Sequence, residues 1–153
     1  MDWNIVATQL ETICKSVSWT DDEGVVRKIN VLDYVPDDLP NTGMYIGEMD
    51  YTPNQSFNST TGGARKGTDA ATITLRLLVA RSTDRWAIRK MRVWLAGSGD
   101  SSLLQALQAT NRQPATYEWS GIKVTAMRGN RLFVVGDAKF YGTEIEIYVT
   151  GAA

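Results

Sequence analysis

The chain has 153 residues, 43% of them hydrophobic and 22% charged, with sixteen bases against seventeen acids for a net charge of −1. That is the make-up of one ordinary globular domain. There is no histidine, which excludes Ser-His-Asp and Cys-His catalysis and every zinc site built on imidazole, and the single cysteine, Cys14, excludes an internal disulfide.

The first element predicted is a helix over Asp2 to Ser18. Trp3, Val6, Leu10, Ile13, Cys14 and Val17 recur at spacings of three and four, with Asp2 as N-cap and Asp21-Asp22-Glu23-Gly24 as the following turn. Cys14 lies on the apolar stripe and reads as a small core residue. Val25 to Val35 is rich in β-formers, Pro36 and Pro40 break it, and Met44 to Tyr51 resumes an extended pattern.

Thr52 to Asp69 reads as a long loop or arm, poor in apolar residues and rich in Gly, Asn, Ser and Thr. Its Gly62-Gly63-Ala64-Arg65-Lys66-Gly67-Thr68 misses the phosphate-loop spacing, because Lys66 precedes the second glycine position instead of following it. Thr72 to Arg81 alternates as a strand with Ile73, Leu75, Leu77 and Val79 on the buried side. Ser82-Thr83-Asp84 then caps a helix to about Ala96, with Ala87, Ile88, Met91, Trp94 and Leu95 facing inward. Ser101-Ser102 starts a short helix through Leu107.

The remainder is strands. Ile122 to Met127 alternates, Gly129-Asn130 reads as a turn, and Leu132 to Val135 is joined through Gly136-Asp137 to a strand over Ala138 to Val149. The expected fold class is α+β: a single domain over residues 1–153 with a mostly antiparallel twisted sheet. The N-terminal and central helices pack on one face, and residues 52–69 form an extended loop.

Little in this order suggests chemistry. The acidic pairs Asp21-Asp22 and Asp37-Asp38 lie in turns, and the Asp33, Asp37, Asp38, Asn41 set misses the calcium-loop spacing. No catalytic residue, metal site or cofactor is expected. No apolar run is long enough to span a membrane, and Met1 to Asn4 does not open a secretory signal, so the expected site of folding is the cytoplasm. Charge, however, is unevenly placed. Residues 1–50 hold three bases against ten acids, whereas residues 51–153 hold thirteen bases against seven acids. Such a division marks either a nucleic-acid partner or copies whose unlike sides meet. Arg85, Arg89, Lys90 and Arg92 crowd one helix and could track a phosphate backbone.

Several strings resemble a known family. Ile29-Asn30-Val31-Leu32-Asp33-Tyr34-Val35-Pro36 and Gly47-Glu48-Met49-Asp50-Tyr51 are similar to the first two strands of neck and tail proteins of actinobacteriophages. Ala87 to Leu95, Gly97-Ser98-Gly99 and Ser101 to Leu107 resemble their helix, glycine-rich link and short helix. Val124 to Gly129 and Gly142 to Gly151 resemble their last strands. The family is the tail terminator of long, non-contractile-tailed phages.

The resemblance implies a virion structural protein without enzymatic activity, assembled in the host cytoplasm. It would form a homohexameric ring that caps the tail tube protein, ends its polymerisation and meets the head–tail connector or stopper protein. Genomic DNA would pass through without sequence-specific binding. Candidate interface residues are Tyr51, Phe57, Arg65, Lys66, Arg85, Trp86 and Arg89; candidate lumen or acidic-interface residues are Asp21, Asp22, Asp37 and Asp38. The alternatives are a tail tube or other neck ring protein, a cytoplasmic nucleic-acid-binding module, and a hydrolase built on carboxylates.

Overall fold

The computed structural model describes residues 1–20, 23–37, 43–52, 68–81, 85–113 and 115–152. Helix α1 spans Trp3–Ser16 because Asp2 accepts hydrogen bonds from the Asn4 and Ile5 amides at 2.9 and 3.3 Å, satisfying donors that the first turn leaves free. It buries Val6, Leu10, Ile13 and Cys14, the predicted stripe. Two short strands follow, β1 (Ser18–Thr20) and β2 (Val26–Lys28), paired antiparallel in a ribbon of their own.

The main sheet has five strands: β3 (Asn30–Leu32), β4 (Gly43–Thr52), β5 (Thr68–Arg81), β6 (Gly121–Val135) and β7 (Ala138–Ala152). Their order is β3-β4-β5-β7-β6, with β3 parallel to β4 and every other pair antiparallel. Helices α2 (Arg85–Trp94) and α3 (Leu103–Ala109) lie between β5 and β6 in the chain. Ser102 caps α3 by accepting from the Gln105 amide at 3.1 Å, as its position before Leu103-Leu104 predicts.

All three helices pack on one face. Leu10 and Ile13 of α1, Met91 and Trp94 of α2, and Leu103 and Leu107 of α3 share a core with Ile73, Leu75 and Leu77 of β5 and Ile145, Ile147 and Val149 of β7. The period-two alternation of β5 and β7 decides this, because each strand presents its β-branched and leucine side chains to the same side. Burying each of these side chains is worth about 1.5–3 kcal/mol. The α+β class with helices on one face of a mostly antiparallel sheet is therefore observed.

Several expectations need correction. Gly129-Asn130 is not a turn: β6 runs through it, and the register of its pairing with β7 shifts between Arg128 and Arg131. A glycine and an asparagine that tolerate turn geometry serve equally well in a bulge. The Val25 to Val35 run divides into β2 and β3, and β3 pairs in parallel with β4. Thr52, Thr68 and Asp69 belong to strands, so the expected loop is shorter than 52–69; residues 53–67, with Phe57, Arg65 and Lys66, lie outside the described residues. Trp3 is half-buried and meets Tyr51 edge-on at 5.0 Å, so it seals the border of the core and does not sit within it.

Gly136, at φ +58°, turns β6 into β7 as the Gly136-Asp137 pair predicts. Gly142 has a different task. A Cβ there would stand 2.4 Å from the Leu77 carbonyl oxygen and 2.8 Å from Leu78 Cδ2, so only glycine lets β5 and β7 approach at that point.

Candidate functional site

The side of the sheet away from the helices carries no helix among the described residues, and its hairpin end is buried. The polar phase of each strand is displayed there, and the register places charges opposite one another. Arg76 of β5 stands across from Glu144 of β7, and Glu144 across from Arg128 of β6. The ion pairs follow: Arg76 Nε to Glu144 Oε2 at 3.5 Å, Arg76 Nη2 to Glu48 Oε1 at 3.4 Å, Arg128 Nη1 to Glu144 Oε1 at 3.4 Å and to Glu146 Oε2 at 3.3 Å. Two arginines are thus held by three carboxylates in one band across β4, β5, β7 and β6.

Bulges assemble this band. The β4–β5 register shifts between Ile46 and Met49, where Glu48 lies, and the β6–β7 register shifts between Val124 and Ala126, where Thr125 lies. A bulge re-aims the residue it carries. Glu48 thereby reaches Arg76, and Thr125 Oγ1 donates to Glu146 Oε1 at 2.8 Å. The third bulge, at Gly129-Asn130, directly follows Arg128.

The band is electrostatically settled. Burial alone would lower the Arg76 guanidinium, but hydrogen bonding and charge from Tyr45, with Glu144 and Glu48, outweigh it and raise its pKa above the ordinary value. The Glu146 carboxyl is held below the usual carboxylate value, first by the Thr125 hydroxyl and then by Arg128. Arg76 also lies 5.7 Å over the Phe133 ring. Beside Phe133 a second apolar cluster of Tyr45, Leu78, Val135 and Phe140 closes the hairpin end of this face.

Of the sequence-derived candidates, Tyr51 is exposed and packs on Trp3. Arg89 is exposed on α2, and the backbone places Arg85 and Trp86 at the start of that helix. Asp37 is exposed, with its backbone carbonyl against Gly136; Asp21, Asp22 and Asp38 lie outside the described residues. These residues are not brought into one site. Sequence reasoning missed Arg76, Arg128, Glu48, Glu144 and Glu146 as a group, although Arg76, Glu144 and Glu146 sit visibly on the polar phase of their strands.

Elsewhere an open cleft of about 300 Å³ is lined by Asn111, Ser120, Ile122, Lys123, Tyr148 and Thr150. Two of its polar side chains are engaged: Asn111 accepts from the Ile122 amide at 2.8 Å and donates to the Ile122 carbonyl at 2.9 Å, and Ser120 donates to the Thr150 carbonyl. Burial pushes the Cys14 thiol up to about 12, so it is a packing residue and not a nucleophile. Among the described residues no group of three or more His, Cys, Asp or Glu could hold a metal ion, and no helix is long and apolar enough to cross a membrane.

Comparison of the sequence with protein-family models and with curated proteins gives no match.

Proposed function

We propose that the chain is a virion structural protein, a tail terminator whose copies close into a ring at the end of a phage tail tube. The ring would end tube polymerisation and present its other side to the head–tail connector. The observation that carries this reading is the helix-free sheet face with its neutralised band. A channel that passes DNA of any sequence must not grip phosphate, and arginines already bonded to carboxylates offer no free charge to it. We assign the lining to this face, with Glu48, Glu144 and Glu146 turned to the channel, in place of the acidic turns. The three helices then form the outer layer of the ring, where Arg89 and Arg92 of α2 are exposed.

The resemblance of the β3, β4, α2–α3 and β7 strings to tail terminators supports the same reading. The test is direct. Purified protein mixed with growing tail tubes of the same phage, imaged by negative stain, should leave tubes of arrested length with a closed ring at one end. Unmarked tubes of unchanged length would refute it. Endless tubes formed by the protein itself would make it a tail tube protein.

A further inference from the structure

We infer that copies of this chain meet side to side on the helix-free face, Lys123 of β6 in one copy pairing with Asp50 of β4 in the next. The inference deepens the ring reading and rests on it, because it names a contact that would close the ring.

Two exposed side chains of opposite charge end one row of the main sheet. Followed from strand to strand, Asp50 is level with Thr72, Thr72 with Tyr148, and Tyr148 with Lys123. The row lies in phase with Glu146 and Glu144, so all four side chains belong to the helix-free face. Asp50 and Lys123 are exposed and form no ion pair among the described residues. Both flanks are open at this height. β3 covers β4 over Gly43–Tyr45 only, and β6 pairs with β7 alone among the described strands.

Charge selects the partner. Residues 46–52 carry Glu48 and Asp50 and no base, whereas β6 carries Lys123, Arg128 and Arg131 and no acid. Glu48 and Arg128 are committed to the band within their own subunit, which leaves Asp50 and Lys123 for a neighbour. A two-fold contact would set β6 on β6 or β4 on β4, like charge on like. Opposite flanks attract instead, and a second copy of this chain supplies them.

Height agrees with the charge. A contact between different patches closes into a ring when its rotation returns on itself, and otherwise runs on as a filament. A ring has no rise, so its subunits meet flank to flank at one level, where the row has placed Asp50 and Lys123. In the adjoining rows Tyr51, 52% exposed, is level with Ile122, and Met49 with Val124, which adds apolar surface on the other face. The Asn111 side chain already holds both backbone groups of Ile122, so side chains make this contact and no strand is added. The cleft lined by Lys123 and Tyr148 leaves room for the incoming carboxylate.

Charge reversal tests it. Asp50→Lys and Lys123→Glu each set like charges across the contact, so each alone should keep the wild-type circular dichroism spectrum and lose the oligomer in light scattering. Mixed in equal amounts, the two variants should regain the oligomer, because in alternation every flank again meets its opposite charge. Unfolded chains would not rescue each other. Wild-type protein that is monomeric at every concentration, a single variant that still assembles, or a mixture that stays monomeric overturns the inference. A rescued oligomer that leaves tail tubes uncapped supports this contact and refutes the terminator reading. Tubes capped by either variant alone uphold the terminator and refute the contact.

Discussion

If the sheet face lines a channel, its arginines avoid DNA only because Glu144 and Glu146 hold them. The perturbation is Glu144→Gln/Glu146→Gln, which keeps side-chain shape and removes two charges. In the native band two guanidinium groups meet three carboxylates; in the variant they meet Glu48 alone, whose side chain is 72% exposed. Arg128 loses both of its acidic partners, at 3.4 and 3.3 Å, and Arg76 keeps one. Each phosphate neutralised steepens the fall of log affinity with log salt by about 0.9, so the one arginine left without a carboxylate, Arg128, gives a slope of about −0.9 per subunit. Affinity for duplex DNA should therefore appear in the variant and drop about 3.5-fold between 50 and 200 mM salt for one subunit. The assay is fluorescence anisotropy of a labelled duplex of arbitrary sequence at several salt concentrations. Stability should change little, since exposed pairs contribute about 0.2–1 kcal/mol each. Wild-type protein that already binds as tightly as the variant, or a variant that gains no salt-dependent binding, refutes the reasoning. The first outcome would also favour the basic α2 helix as a nucleic-acid surface.

Gly142→Ala should lower Tm by about 5–10 °C, because its methyl would meet the Leu77 carbonyl at 2.4 Å and overpacking of this kind costs about 1–3 kcal/mol; Gly129→Ala, with no atom within 4 Å, should not, and equal melting of the two would be fatal. Asn111→Ala removes both partners of the Ile122 backbone and should cost about 1–3 kcal/mol in urea unfolding, with Asn111→Asp retaining the acceptor and falling between. Because the folded Glu146 carboxyl sits below its unfolded value, its stabilisation is complete above the unfolded pKa and disappears as pH falls through the folded one. NMR titration should show Glu146 below the ordinary value near 4.3 and Thr125→Val moving it upward; an unmoved midpoint would discount the hydroxyl.

What the sequence made legible is local. The α1 stripe with its Asp2 cap, the Ser102 cap of α3, the Gly136-Asp137 hairpin and the alternation of β5 and β7 each depend on neighbours within a turn or a strand pair. What it hid depends on register. Gly129-Asn130 can turn or bulge, and only the length of β7 facing it decides for a bulge. Arg76, Arg128 and Glu144 lie up to 68 positions apart and become one band only when three strands align. Glu48 and Thr125 join it through bulges, which no periodicity announces. The acidic turns looked more suggestive because adjacent charges are visible in a linear reading and cross-strand ones are not.

Chain order explains how one sheet can carry a neutral face and a basic edge together. In the main sheet, strand order follows chain order except that β7 lies inside β6. The exchange of β6 and β7 matters. It moves the two glutamates of β7 between the arginines of β5 and β6, and it sends the strand with bases and no acids to the border. With β7 outermost instead, Glu144 and Glu146 would stand at the edge, Arg76 and Arg128 would be neighbours, and the face would present paired cations to whatever it enclosed. Within β6, Arg128 is bound to the face, whereas Lys123 and Arg131 are exposed and form no ion pair among the described residues. The hairpin order thus separates the paired charges of the face from the unpaired bases of the edge.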